Sequence, residues 1–179
     1  MIISELNIPF YQFKIENWKD KKNNLLEIYS SVENILTSKD PTSLVYTDFG
    51  ISKINYVGRV VEVLKEDLEK FYSESKIGER VSISCWFQKY VKGCFHSPHN
   101  HGPIGYSSVC FIEYDKNEHM PTRFILPFNN IMTGEINEYY PKNLDEGTII
   151  FFPSFLNHYV LPNKSNKLRI ILSMNIKKL

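Results

Sequence analysis

The chain has 179 residues, 42% hydrophobic and 14% aromatic, enough to bury a core without disulfide or metal staples. Its 21 basic and 20 acidic residues leave a formal net charge of +1, which argues against a broad nucleic-acid-binding face. No apolar run approaches the roughly 18 residues that span a membrane, and Met1–Asn7 lack the basic and apolar segments of a signal peptide. A cytoplasmic protein with neither membrane nor nucleic acid as partner is expected.

In chain order, residues 7–15 alternate enough for a strand, and Pro9 suits a strand start or an edge. Trp18, Leu25, Leu26, Ile28, Tyr29, Val32, Ile35 and Leu36 then recur at spacings near three and four, the mark of an amphipathic helix. Asp40-Pro41 ends it, because the residue before proline avoids the α region. Residues 43–55 read as irregular or briefly extended. Val57, Val60, Val61, Leu64, Leu68, Phe71 and Tyr72 mark a second helix. Both apolar stripes are expected to buttress a core.

From residue 79 the period changes to two. Val81, Ile83, Cys85, Phe87 and Lys89 alternate with Ser82, Ser84, Trp86, Gln88 and Tyr90, which predicts one long strand. Lys92-Gly93 breaks it. A second long strand is expected at Tyr106–Tyr114. Shorter ones are expected at Arg123–Pro127, Glu135–Tyr140, Thr148–Phe152, His158–Leu161 and Leu168–Ile176, with turn residues between them. Two helices and then seven or eight strands predict a mainly β fold. Its expected form is a double-stranded β-helix, a jelly-roll or cupin-like barrel buttressed by two helices. Residues 1–179 read as one domain, with 1–78 as the helical buttress and 79–179 as the jelly-roll core. Cys85, Cys94 and Cys110 are odd in number and not in C-x-x-C spacing. Buried, reduced thiols are expected at Cys85 and Cys110.

The chemistry gathers in Phe95–Gly102. His96, His99 and His101 fall within six positions, and His158 lies 57 residues beyond His101. Residues two apart on a strand share a face, so His99 and His101 are expected to aim together into a barrel mouth. Imidazole suits iron, zinc, copper and nickel. His99, His101 and His158 are the candidate metal ligands. His96, three residues from His99, does not converge with it on a strand and reads as a neighbour. His119, in Lys116–Met120, reads as a solvated loop residue. Arg169 opens an otherwise apolar strand, where unpaired burial is costly. Its planar fork matches a carboxylate bidentately, and Ser173 faces the same side.

Trp86–Gly93, Pro98-His99-Asn100-His101, Ser107–Ile112, Gly147–His158 and Arg169–Asn175 resemble, in order and spacing, the Fe(II)- and 2-oxoglutarate-dependent oxygenases. Within that superfamily they resemble a group of small oxygenases of marine bacteria and their phages with an H-x-H…H pattern. The resemblance covers about half the chain. It implies Fe(II) and 2-oxoglutarate as cofactors, with His99 and His158 as the first and distal histidine ligands. It also implies Arg169 as the partner of the far carboxylate of 2-oxoglutarate, with Tyr90 and Ser173 in the same anion pocket. Trp86, Gln88 and Asn175 are the candidate substrate-pocket residues, and Phe124–Tyr140 is expected over the mouth.

One departure stands out: the superfamily's middle ligand is usually Asp or Glu, and here it is His101. Either His101 ligates, or it sits behind a water, or a carboxylate such as Glu113 or Asp115 reaches in. Ligation by His101 would raise the net charge of the site by one unit relative to a carboxylate. The implied activity is hydroxylation of a C–H bond in a protein side chain, prolyl included, or in a small metabolite. Dioxygen is consumed, and succinate and CO2 are released. A homodimer is left open. The competing readings are a three-histidine iron dioxygenase that does not use 2-oxoglutarate, a cupin-like metal- or ligand-binding barrel, and a non-catalytic phage structural protein.

Overall fold

The period-two stretch at Val81–Tyr90 becomes one partner in a ten-residue strand pairing. This strand, β3, runs antiparallel to β10 (Arg169–Lys178), with Tyr90 opposite Arg169 and Val81 opposite Lys178. The computed structural model describes residues 8–38, 40–51, 55–78 and 80–179. Met1–Asn7, on which the signal-peptide reading and the start of the first strand rest, lie outside the described residues, as does Glu79.

The second edge of β10 pairs with β5 (Tyr106–Glu113), β5 with β8 (Thr148–Pro153), and β8 with β1 (Tyr11–Lys14). The two-residue β2 (Tyr46–Thr47) sits beside β3, giving a sheet of order β1-β8-β5-β10-β3-β2. A second sheet has the order β4-β9-β6-β7, built from His96–His99, His158–Val160, Arg123–Asn129 and Ile136–Tyr139. All these pairings are antiparallel, and the two-sheet arrangement is the expected jelly roll.

The alternation sorts side chains into two layers. Ile170, Leu172, Met174 and Ile176 of β10, with Phe87 of β3, pack outward against Leu25, Ile28, Val60, Leu68 and Phe71 of the helices. Phe71 lies flat on Phe151, centroids 4.0 Å apart and 6° from parallel. The intervening residues point between the sheets. There Tyr90, Phe111, Ile150, Phe152 and Ile171 meet Phe124, Leu156 and Val160. One step along β3 or β10 therefore exchanges the helical core for the interior that carries the site.

The helices differ from the expectation of two. α1 spans Trp18–Val32 and ends in a 3-10 turn at Glu33–Ile35, short of Leu36. The second stripe is divided into α2 (Val57–Val63) and α3 (Lys65–Ser75) at Leu64, whose φ of −102° and ψ of 15° leave the helical region. Bonds from Leu64 N to Val60 O and from Leu68 N to Leu64 O bridge the break. The stripe Val60, Leu64, Leu68, Phe71 stays continuous across it, so hydrophobic periodicity does not register the break.

Phe71→Ala should remove about 3–5 kcal/mol of stability, the usual cost of truncating a buried phenylalanine. Urea denaturation of the variant checks this. A loss below about 1 kcal/mol would mean that the helical layer is not a packed buttress.

Candidate metal centre

β4 and β9 lie side by side, with His99 opposite His158. His158 starts β9, behind a tight turn closed by Leu156 N to Pro153 O. His101 falls two residues past β4, and its backbone N–H donates to Ser154 O at 2.9 Å. Gly102 follows at φ +96°, where a side chain is disfavoured. His99 and His101 were expected to share a face of one strand. Instead the chain leaves β4 and folds His101 back over the β8–β9 turn. The ring nitrogens that His99, His101 and His158 could offer a metal ion all lie within 4.8 Å of one another.

The ring orientations of two members are fixed. His99 Nδ1 sits 2.8 Å from Ser97 O, and His158 Nδ1 sits 3.0 Å from Leu156 O. A carbonyl can only accept, so each Nδ1 carries the proton and each Nε2 keeps its lone pair. The His101 ring makes no such bond to a described residue; it packs on Trp86, centroids 5.3 Å apart.

His96 comes closer than its spacing predicts. A register shift between His96 and His99 turns the two rings to one side. They stack at 3.8 Å and 25°. Gln88 Nε2 donates to His96 Nδ1 at 3.2 Å, and Gln88 Oε1 accepts from Ser173 Oγ at 3.2 Å. His96 is not a member of the three-nitrogen cluster.

Burial dominates the electrostatics. It pushes the imidazolium pKa of His96 down to about 3 and that of His101 to about 4, with the His99 charge adding to both. His99 and His158 are lowered for the same first reason. Near neutral pH all four rings are uncharged; the Nε2 lone pairs of His99 and His158 are free for a cation, whereas His96 Nδ1 accepts from Gln88. No carboxylate joins the cluster among the described residues. Glu113 pairs with Lys22 at 3.0 Å, and Asp115 pairs with Lys167. Both border a groove beside α1 rather than the histidines, so neither reaches in as a ligand.

Arg169 is 1% exposed. Its guanidinium lies 4.6 Å above the Tyr90 ring and 5.7 Å from Phe111. Nη2 reaches Thr122 Oγ1 at 3.4 Å, while Nε, Nη1 and the Tyr90 hydroxyl are buried without a partner. Burial pushes the Tyr90 phenol up to about 12 against the opposing pull of Arg169, so it remains a donor. A planar cation and a phenol, both orphaned, fit one carboxylate. An inner cavity of about 10 Å³ is bordered by Tyr90, Thr122 and Ser173 and by His96, His99, His101 and His158. Arg169 is not on that lining but stacks on Tyr90, which is. The groups on either side, rather than the volume, match a dicarboxylate with a chelating end.

Trp86 and Gln88 border this cavity and also a wider one of about 330 Å³ above it. Asn175 borders neither: its Oδ1 accepts from Ser107 Oγ at 2.8 Å. The Phe124–Tyr140 hairpin does not cover the mouth. Phe124 packs behind His158, centroids 5.8 Å apart. The mouth is walled instead by Asp40, Val45, Thr47 and Phe49, a segment without periodicity that was expected to be irregular or briefly extended and was given no role in the site. His119 is buried rather than solvated. Asp115 N donates to its Nδ1 at 3.0 Å, and its Nε2 donates to Lys167 O at 3.1 Å, which makes it a clamp between two loops.

The family model described as "Putative 2OG-Fe(II) oxygenase" matches residues 84–175, just over half the chain. The chain belongs to this family. It is a 2-oxoglutarate- and Fe(II)-dependent oxygenase, with iron and 2-oxoglutarate as its cofactors. No curated protein matches it. Among solved structures, a prolyl-4-hydroxylase from Pseudomonas putida is 15% identical with a TM-score of 0.67, over 96% of this chain and 94% of that one. The epimerase SnoN from nogalamycin biosynthesis, in complex with Fe3+, alpha ketoglutarate and nogalamycin RO, is 8% identical with a TM-score of 0.69, over 96% and 79%. A Trichoplax adhaerens prolyl hydroxylase, in complex with a hypoxia inducible factor oxygen degradation domain peptide, is 12% identical with a TM-score of 0.61, over 94% and 83%. At these identities the likeness is one of fold. No helix among the described residues is long and apolar enough to cross a membrane.

The neutral histidines set a pH dependence. Unfolded imidazoles titrate near 6.5 and the folded ones lower. Below about 6.5 the unfolded chain therefore takes up protons that the fold refuses, and stability falls. The Tm of the metal-free protein should be level above about pH 7 and drop steadily towards pH 4.5. A flat profile in that window would show that the histidines are not held neutral.

Proposed function

We propose that this oxygenase holds Fe(II) on His99, His101 and His158, holds 2-oxoglutarate on Arg169, and hydroxylates a C–H bond of a protein side chain or a small molecule. The observation that carries the reading is the orphaned Arg169 guanidinium stacked on Tyr90, which lines the same inner cavity as three converging imidazoles. Residues 1–179 act as one catalytic unit in this reading.

The chain's own groups divide the work. Ser97 O and Leu156 O fix the protons of His99 and His158 on Nδ1, so their Nε2 lone pairs are set before a metal arrives. His101 supplies the third imidazole. Arg169 and the Tyr90 hydroxyl take the far carboxylate, which turns the keto-acid end towards the histidines. Thr122 Oγ1 steadies the guanidinium from the side. Ser173 and Gln88 hold each other along the wall, while Trp86, Val109 and Ile171 keep water from the space between. When bound, iron with 2-oxoglutarate supplies the dioxygen chemistry: R–H, O2 and 2-oxoglutarate become R–OH, succinate and CO2. The mouth lined by Trp86, Gln88 and Phe49 admits the substrate.

Anaerobic addition of Fe(II) and 2-oxoglutarate should give a weak visible charge-transfer band. Absence of the band, with no 2-oxoglutarate bound to the iron-loaded protein, overturns the reading. Arg169→Ala should weaken 2-oxoglutarate binding by at least about thirtyfold, the lower end for truncating a buried charge partner, with iron affinity little changed. Loss of both affinities together would mark Arg169 as structural. His101→Ala should lower iron affinity and His101→Asp should restore it with an altered spectrum; unchanged affinity in His101→Ala would remove His101 from the ligand set.

A further inference from the structure

The mouth above the histidines carries one formal charge. Among the described residues Asp40 is the only carboxylate on its lining, and no lysine or arginine borders it. Asp40 is placed to stay ionised. Its Oδ1 accepts from Thr42 N at 2.8 Å and from Thr42 Oγ1 at 2.7 Å, and these bonds hold its carboxyl below the usual range. Among the described residues no cation pairs with it. It shares that lining with His96 and His99.

The rest of the wall is apolar and aromatic. Phe49 and Trp86 meet edge to face at 4.8 Å, with Val45 on the same lining. Phe49 is 61% exposed, an unusual state for a phenylalanine in a well-packed segment. The segment beneath it is tied down. Asp48 accepts from Phe87 N at 2.8 Å and from the Tyr56 hydroxyl at 2.5 Å, and Thr47 Oγ1 donates to Phe87 O at 2.9 Å. Phe49 is therefore presented to the cavity by a fixed support.

A carboxylate beside aromatic edges and faces is the arrangement that receives an ammonium or guanidinium on an aliphatic stem. An anionic substrate would meet Asp40 with like charge. The volume, about 330 Å³, is at the lower end for small-ligand sites and suits one side chain or one small amine.

We propose that the substrate carries a cationic nitrogen group that seats on Asp40, with its aliphatic stem between Phe49 and Trp86 and above His99 and His101. This inference rests on the preceding reading of the histidines as the iron site. The source of the cation is a lysyl or arginyl side chain of a peptide, or a free amine.

The test uses the full chain with Fe(II) and 2-oxoglutarate under anaerobic conditions, titrated calorimetrically. The probes are Nα-acetyl-L-lysine methylamide, its uncharged counterpart Nα-acetyl-L-norleucine methylamide, and n-butylamine. The lysine derivative should bind at least about tenfold tighter than the norleucine derivative. Asp40→Asn keeps the acceptor for Thr42 and should abolish that difference while leaving Fe(II) and 2-oxoglutarate affinities within about twofold. Phe49→Ala should weaken both amino-acid probes. Butylamine binding as tightly as the lysine derivative assigns a free amine; much weaker binding assigns a peptide side chain. Equal binding of the lysine and norleucine derivatives, failure of both cationic probes to bind, or unchanged lysine affinity in Asp40→Asn overturns the proposal. These outcomes, with iron and 2-oxoglutarate still bound, leave the iron-site reading standing; failure of the cofactors to bind overturns that reading first.

Discussion

A buried guanidinium without an anion is the constraint on which the interior depends. Arg169 is held by the strand pairing that makes the sheet, directly opposite Tyr90 on β3. Two of its nitrogens remain without a partner, and a cation in that state destabilises the fold that holds it. A ligand carboxylate turns this deficit into binding free energy, and the bound state of the fold becomes the more stable one.

The histidine side of the inner cavity that Tyr90 lines has the complementary deficit. Four imidazoles crowd together, and each makes the charged form of its neighbours less favourable. They cannot hold protons, but three of them can share a metal ion. One side lacks an anion and the other lacks a cation. A metal chelated by a dicarboxylate answers both at once, which neither a metal nor an acid does alone. Three neutral imidazoles leave both charges of Fe(II) uncancelled, where a carboxylate ligand would cancel one.

Local pattern carried much of this into the sequence. The alternation in Val81–Tyr90 and in Arg169–Ile176 marks the strands and the faces of Trp86, Gln88, Tyr90, Arg169 and Ser173, because each side chain's face follows from its neighbours two residues away. Features set by long-range register were not legible. The shift between His96 and His99 depends on pairing with β9, and the return of His101 depends on Ser154. His119 reads as a polar loop residue because both of its partners are backbone groups, which no side-chain pattern encodes. The break at Leu64 keeps the apolar stripe intact and so leaves no trace in it. The mouth wall at 40–49 has no period, and its order comes from one buried carboxylate, Asp48, whose partners lie on β3 and at the start of α2.

That carboxylate also explains why the helical layer matters to the site. Asp48 bonds the backbone of Phe87, whose ring packs against Tyr29 of α1 and against Tyr56. Trp86 and Gln88, the two residues beside Phe87, point the other way into the mouth and the inner cavity. Position along β3 is thus set from the helical side and read out on the catalytic side, one residue apart. A shift of the buttress would move the Phe49 wall and the Trp86 wall together, since both hang on the same backbone. The helices contribute no group to the cavity lining, yet through this junction they fix the distance between the substrate walls and the histidines beneath.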